Sequence, residues 1–462
     1  MTDAPILVGP GPHLLIDDRF VAEATGVVRV TQSPRRPAAA AITDAQSGGR
    51  LPVGPSLAYD AARDRFRMWH GLLRLTRDEP RTLAVYRESA DGLTWDGPAQ
   101  PLFTFDGYGT NALVAPGAGP PERSHTFIYF VTEPAPRGAH AAFSPDGLTW
   151  THHGQPVLPY FEIGDPRWTE GVGDILDPYW DPVRRRYGLL VKMFCTSDKE
   201  FGLQSRTARA GLGIRLTGHS TSTDFVHWTP PRRVLLPDAE DEGVTEFYGA
   251  TVVPRGDTLV GLVRILRDDL AATPGGRVLG LGYTALAVSH DGGEHWQRFR
   301  EPFFDRNPRP GAFDHAMAWA NGVARRGDTL YLAYGAYDTG HKRGKRSIGV
   351  TSLPVDRFVA RTAGPAGGTL VTPWLQHRDG APTGLWLNVR ASGGELRVQA
   401  RAAGGAVLPG CSFDDCPPVV KDRIALRVKW PGRLAQVGAG PFRLEFRLRN
   451  ASLYAFSFAA EV

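Results

Sequence analysis

Carboxylates stand ahead of, or inside, apolar runs at several separated points of this chain. Asp174 follows Gly173 and precedes Ile-Leu-Asp177-Pro-Tyr-Trp180. Glu246 lies in Gly243-Val-Thr-Glu246-Phe-Tyr248-Gly249, Asp314 precedes His315, and Asp17 and Asp18 sit within Leu14-Leu-Ile-Asp-Asp-Arg-Phe20. Two such groups in one cleft could divide acid–base work. One, held protonated, donates to a leaving oxygen; the other, ionised, attacks or activates water. Burial and mutual repulsion push the two pKa values apart. Asp174, Glu246, Asp314 and Asp18 are therefore the candidate catalytic groups, with Glu246 preferred as the general acid. Candidate binding residues are Asp177, Tyr248, His315, Asn111, Trp168 and His341, the last in the basic loop Asp338-Thr-Gly-His341-Lys-Arg-Gly-Lys-Arg346.

Each candidate has a plainer alternative. Asp174 could cap a turn, and Asp177 could pair with the run Arg184–Arg186. Successive strand residues face opposite ways, so only one of Asp17 and Asp18 can point inward, and Asp18 could instead pair with Arg19 or Arg29. Tyr248 and Trp319 suit sugar stacking or a core. The acidic loop Asp238, Glu240, Asp241 and Glu242 reads as solvated. A histidine beside several basic residues, as at His341, suits anionic or hydroxyl-rich ligands. No zinc, EF-hand, phosphate-loop or dinucleotide motif occurs, so no metal or cofactor is expected.

The elements that must position these groups repeat. Ser89-Ala-Asp91-Gly92-Leu-Thr-Trp95 recurs as Ser144-Pro-Asp146-Gly147-Leu-Thr-Trp150, more loosely as Ser222-Thr-Asp224-Phe-Val-His-Trp228, and as Ser289-His-Asp291-Gly292-Gly-Glu-His-Trp296. The Asp accepts hydrogen bonds from its own turn while Gly takes the positive-φ position. These turns resemble the Asp-box hairpins of sialidases and other β-propellers, and the expectation is structural. Before each lies an apolar run, a polar turn and a second apolar run, which reads as a β-hairpin. The spacing predicts five blades, at roughly 50–100, 108–152, 170–232, 245–300 and 312–360. After about residue 370, alternating runs between Gly-rich turns predict a small antiparallel β-sandwich. The expected fold is all-β: residues 1–49 completing the propeller, a five-bladed β-propeller over 50–365, and a β-sandwich over 370–462.

Length and composition agree. A chain of 462 residues with 42% hydrophobic and 22% charged residues builds a real core and excludes disorder. Gly (54) and Pro (38) suit a turn-rich β fold. The net charge is only +5, with no basic run longer than three, which argues against nucleic-acid binding. Three cysteines, Cys195, Cys411 and Cys416, make no disulfide scaffold. No signal peptide or membrane helix is read, so the expectation is a soluble cytoplasmic protein.

Residues along the whole length resemble the invertase-like (glycoside hydrolase family 32-like) five-bladed bacterial proteins with a C-terminal sandwich. They include Leu14–Phe20, Gly173-Asp174 ahead of Asp177-Pro-Tyr-Trp-Asp181-Pro, Phe247-Tyr248-Gly249, Phe313-Asp314, Tyr334-Gly335 followed by His341, and in the tail Leu387-Asn388, Pro409-Gly410, Asp415-Cys416 and Val428-Lys-Trp430. The resemblance implies acidic residues at the channel mouth and a carbohydrate substrate. The chain lacks the Trp-Met-Asn-Asp-Pro-Asn-Gly, Arg-Asp-Pro and Glu-Cys segments of invertases, so roles are assigned by position. The expected function is a glycosidase with a carboxylate pair. The alternatives are a lectin-like binding propeller, a sialidase, a lyase, or a phosphorylase using the basic loop His341–Arg346 for phosphate.

Overall fold

The computed structural model describes residues 4–47, 49–51, 54–74, 81–132, 136–160, 172–194, 214–380, 382 and 384–459. Among them the chain is nearly all β. Its helical pieces are the single turn Asp44–Ser47 and the 3₁₀ turns Pro121–Arg123 and Leu434–Val437. No described helix is long and apolar enough to cross a membrane. The chain forms two compact units. The larger holds Pro34–Pro254 and Val260–Leu353; the smaller holds Met1–Ser33, Arg255–Leu259 and Pro354–Val462.

The larger unit is a succession of meanders. The first runs Ser56–Asp60, Arg65–Leu73, Thr82–Ser89, Gln100–Phe105, and the second Gly107–Val114, His125–Val131, Gly138–Ser144, Thr151–Pro159. The third is Leu176–Asp181, Arg186–Phe194, Arg215–Ser222, Arg232–Leu235. The fourth is Thr245–Arg255, Thr258–Arg267, Leu281–Ser289, Gln297–Phe304. The fifth, Met317–Arg326, Thr329–Tyr337 and Arg346–Pro354, takes its outer strand from Ile42–Thr43, through the antiparallel register Ser347 to Thr43 and Ile348 to Ile42. Pro178 lies in Leu176–Asp181, a strand at the edge of its sheet, where a missing N–H removes no ladder bond.

The repeated turns are built as their residues require. Asp91 Oδ1 accepts from the backbone N–H of Leu93 and Thr94, each at 2.8 Å, and from Ser89 Oγ at 3.0 Å. The indole of Trp95 donates to the Gly92 carbonyl at 3.0 Å, and Gly92 has φ +76°. Asp146, Asp224 and Asp291 repeat this pattern, with Phe225 taking the left-handed position at φ +66°. These four carboxylates are saturated by their own turns. The acidic loop is also tied down: Arg298 and Arg300 both pair with Asp238 and Asp241, and Arg300 pairs with Glu240.

In the smaller unit the N-terminal residues are woven into the C-terminal sheets. Ile6–Val8 pairs in parallel with Leu375–His377, and Glu23–Thr25 pairs with Gly368–Val371. His13–Leu14 pairs with Ala451–Ser457, and Val27–Thr31 with Val359–Ala363. The two sheets share one apolar cluster, with Leu370, Val398, Phe442 and Phe446 from one and Leu387, Val389, Leu453 and Phe456 from the other. The stretch expected to complete the propeller thus divides at about residue 33, and Ile42–Thr43 is the part that joins the meanders.

Candidate functional site

In an antiparallel meander the start of the first strand, the end of the second and the start of the third lie at one end of the sheet. In the third meander those places hold Asp174, Lys192 and Arg215. In the fourth they hold Glu246, Tyr248 and Asp268, and in the fifth Trp319, Tyr337, His341 and Arg346.

Contacts bring these side chains together. Arg215 donates twice to Glu246 Oε2, from Nη1 at 2.6 Å and from its backbone N–H at 2.9 Å. Glu246 is wholly buried, and its Oε1 has no hydrogen-bond partner among the described residues. Lys192 donates to Asp174 Oδ1; the lysine is 4% exposed and the aspartate 32%. The Lys192 Nζ and the Arg215 guanidinium lie 5.0 and 5.2 Å from the centroid of the Tyr248 ring, a cation–π arrangement. Tyr248 stacks on Trp319 with centroids 4.6 Å apart, and its hydroxyl meets His341 Nε2 at 3.2 Å.

The electrostatics follow from this packing. Burial raises the Asp174 carboxyl, but the charge of Lys192, its hydrogen bond and the charge of Lys342 outweigh that, leaving it below the ordinary carboxylate value. Burial lowers the Lys192 ammonium, and although Asp174 opposes this the net direction is down. Burial would lower the Arg215 guanidinium too, but Glu246 and Tyr248 reverse it. His341 is driven well below the usual histidine value, first by burial and then by Arg215, Lys342, Lys192 and Arg346, so its imidazole is neutral.

Asp177, expected to bind substrate, is buried in a network of its own. Its Oδ2 accepts from Arg264, a side chain with no exposure, and its Oδ1 accepts from Asn111 Nδ2 at 3.2 Å. Arg264 continues to Thr251 Oγ1 at 3.2 Å and the Ala320 carbonyl at 3.3 Å. Asn111 also accepts from Ser56 Oγ at 2.7 Å, so it too belongs to this network. Asp314 is wholly buried, with Oδ2 accepting from Arg36 at 2.5 Å and Tyr334 at 3.2 Å. His315 bonds Thr273 Oγ1 at 3.0 Å and the Asn307 carbonyl at 2.9 Å. None of these partners belongs to the Asp174–Glu246 constellation. Asp18 lies in the smaller unit, exposed and paired with Arg361 at 2.7 Å. Tyr248 and Trp319, expected as stacking platforms, are buried against each other. Trp168, with its neighbour Arg167, lies outside the described residues.

Of the expected catalytic residues, Asp174 and Glu246 are joined through Lys192, Arg215 and the Tyr248 ring, while Asp314 pairs with Arg36 and Asp18 with Arg361. The partners that join them, Lys192 and Arg215, escape a search for carboxylates. Their signal is a cation inside an apolar run, Leu189-Leu-Val-Lys192-Met-Phe194 and Ile214-Arg215-Leu216. A separate cleft of about 240 Å³ lies against the acidic loop, lined by Asp241, Arg267, Tyr283, Arg298 and Arg300. Its arginines are paired to Asp238, Asp241 and Asp269, which leaves it without free charge for a ligand. Among the described residues no cluster of three or more His, Cys, Asp or Glu is placed to hold a metal.

No protein-family model and no curated protein matches the chain. Solved structures do align with it. One described as a glycoside hydrolase is 14% identical, covers 69% of this chain and 92% of its own, and has a TM-score of 0.46. A glycosyl hydrolase from Bacteroides ovatus is 13% identical, covers 77% and 96%, and has a TM-score of 0.44. A fructofuranosidase from Schwanniomyces occidentalis, solved with fructosylnystose, is 9% identical, covers 98% and 100%, and has a TM-score of 0.41.

Proposed function

We propose that the larger unit is a closed five-bladed β-propeller, that the smaller is a β-sandwich accessory unit, and that the chain is a glycosidase whose working carboxylates are Asp174 and Glu246. Contacts between successive meanders support closure. Ser56 meets Asn111, Asn111 meets Asp177, Asp177 meets Arg264, Arg264 reaches Ala320, and Gly322 packs on Pro55 and Leu57 so closely that a Cβ there would fall 2.7–2.8 Å from them. That sequence of contacts passes once through every meander and returns to the first.

The observation that carries the activity is the pairing of two carboxylates in unlike surroundings beside one aromatic ring. Asp174 is part-exposed and held ionised by Lys192, which suits attack or the activation of water. Glu246 is buried, with Oε2 fixed by Arg215 and Oε1 left as the oxygen that can give or take a proton. Lys192 and Arg215 supply positive charge where a departing oxygen would develop negative charge. The separation of the two carboxyl groups when substrate is bound decides the stereochemistry, about 5–5.5 Å giving retention and about 6.5–9.5 Å inversion.

A second reading, a carbohydrate-binding propeller without turnover, is favoured by one observation: Glu246, Asp177 and Asp314 are each buried against an arginine. A product-resolved screen against plant, microbial and host glycans separates the two. Turnover by the wild type that Glu246→Gln and Asp174→Asn each abolish supports the glycosidase. Glycan binding without turnover, unchanged by Glu246→Gln, supports the binding module.

A further inference from the structure

We propose that Arg50, Lys342 and Arg346 form a subsite for an oxyanion beside the Asp174–Glu246 constellation, so that the ligand taken there carries a carboxylate, as an acidic sugar does, or a phosphate. The placement beside catalytic groups rests on the glycosidase reading; the anion site itself rests on the cations.

The loop Asp338–Lys345 is built to hold Lys342 in place. Asp338 Oδ1 accepts from the backbone N–H of Lys345 at 2.9 Å and from Thr339 Oγ1 at 2.8 Å. The His341 N–H bonds the Leu279 carbonyl at 2.8 Å, and the Arg343 N–H bonds the Gly340 carbonyl at 3.0 Å. These ties set Lys342 at φ +60°, a left-handed conformation that a lysine adopts only when its surroundings impose it. The neighbouring His341 side chain turns inward to Tyr248, while the Lys342 side chain stays exposed.

Two arginines stand beside it. Arg50 Nη2 donates to the Lys342 carbonyl at 3.1 Å. Arg346 is buried, with its guanidinium 5.1 Å from the Tyr337 ring, Nη1 donating to the Leu51 carbonyl at 3.2 Å, and Nε without a partner. Among the described residues, none of these three cations is ion-paired with a carboxylate. The acids nearby are engaged elsewhere. Asp44 accepts the backbone N–H groups of Leu51 at 2.7 Å and Arg346 at 3.0 Å, and Asp174 is taken by Lys192. Asp268 is buried near Gly280 and His341.

The cations also bear on one another. The Arg346 charge disfavours that of Arg50, after the larger effect of burial and with Asp44 offsetting only part of it, and four cations act on the neutral His341. Gathering unmatched positive charge at a part-buried place is unfavourable unless something negative occupies it. Guanidinium and ammonium groups match oxyanions through short, charge-assisted hydrogen bonds.

The test is calorimetric titration of the purified full chain with sodium D-glucuronate and with inorganic phosphate, D-glucose serving as the neutral control and chloride holding ionic strength constant. The wild type should bind at least one anion saturably and glucose not at all in the same range. Arg50→Gln/Lys342→Gln should weaken that binding at least tenfold, and Glu246→Gln should leave it in place. The single variant Lys342→Gln changes only an exposed side chain, so its weakened binding cannot be put down to misfolding. Glucuronate bound without phosphate assigns the site to an acidic sugar; phosphate bound without glucuronate assigns it to phosphate. No saturable anion binding, or binding that the double variant leaves unchanged, overturns the proposal. Neutral glycans cleaved equally by the wild type and the double variant, but not by Glu246→Gln, would sink the subsite and keep the glycosidase. Anion binding without glycan turnover would do the reverse.

Discussion

Replacing Arg215 by Met should destabilise the protein far more than replacing Lys192 by Met, and the reason is exposure. Both lysine and arginine are buried, and each holds one carboxylate. Their partners differ: Asp174 is 32% exposed, while Glu246 has no exposure at all. Removing Lys192 leaves a carboxylate that water reaches, so the expected loss is that of a charged hydrogen bond, about 1.5–3 kcal/mol and nearer the lower figure. Removing Arg215 leaves an uncompensated buried charge, for which about 3–5 kcal/mol is expected. For a large domain, roughly 2 °C of melting temperature goes with each kcal/mol. Thermal unfolding at pH 7.5 should therefore fall by about 6–10 °C in Arg215→Met and by about 3–4 °C in Lys192→Met, as that scaling converts the two losses. Because the larger loss is attributed to charge, Arg215→Met/Glu246→Gln should regain most of it. If Arg215→Met loses no more than Lys192→Met, or if the double variant melts no higher than the single one, the buried-charge reasoning is wrong.

Three further outcomes follow from the same geometry. Asp174 must be ionised to act and lies below the ordinary carboxylate value, so the acid limb of kcat/KM should fall below about pH 4; Lys192→Gln should move that limb upward, as a pH–rate profile would report. His13, packed among Phe20, Phe456 and Phe458, is lowered to about 4, chiefly by burial. An unfolded histidine takes up its proton near pH 6.5, so the unfolded chain binds more protons than the folded one in this range. Stability should drop as pH falls from about 6.5 to about 4, and His13→Gln should flatten that part of a melting-temperature profile. Gly249 has φ +137°, and a Cβ there would collide with Arg264, Ile175 and Asp177. Gly249→Ala should therefore give little soluble protein, whereas Gly97→Ala, with open space around it and no left-handed backbone, should express normally on a solubility blot.

The meanders were legible because their signals are local. A Ser-x-Asp turn satisfies its own backbone, and an apolar–polar–apolar run folds on itself, so neither depends on distant partners. The N-terminal strands carry no such signal. Nothing in Ile6-Leu-Val8 names Leu375–His377 as its neighbour, and that pairing is what places residues 1–33 in the smaller unit. The partner of Asp18, Arg361, is illegible for the same reason, being remote in sequence.

The site divides along a similar line. Position within the repeat pointed to Asp174 and Glu246, because strand starts gather at one end of their sheets. It pointed equally to Asp177 and Asp314, which the fold uses as braces. What separates the two kinds is the cation each meets. Arg264 closes Asp177 off and Lys192 leaves Asp174 part-exposed; Glu246 and Asp314 each give one oxygen to an arginine and keep the other without a partner among the described residues, but Arg215 stands with Lys192 against the Tyr248 ring whereas Arg36 lies over Phe304. A lysine or arginine inside an apolar strand cannot be buried unmatched, so its presence announces a carboxylate partner without naming it. Four carboxylates, three such cations and Arg36 in a loop permit many pairings, and only packing selects among them. Among the described residues, Arg50, Lys342 and Arg346 have no carboxylate paired to them, which is the physical reason to look for their counter-charge in the ligand.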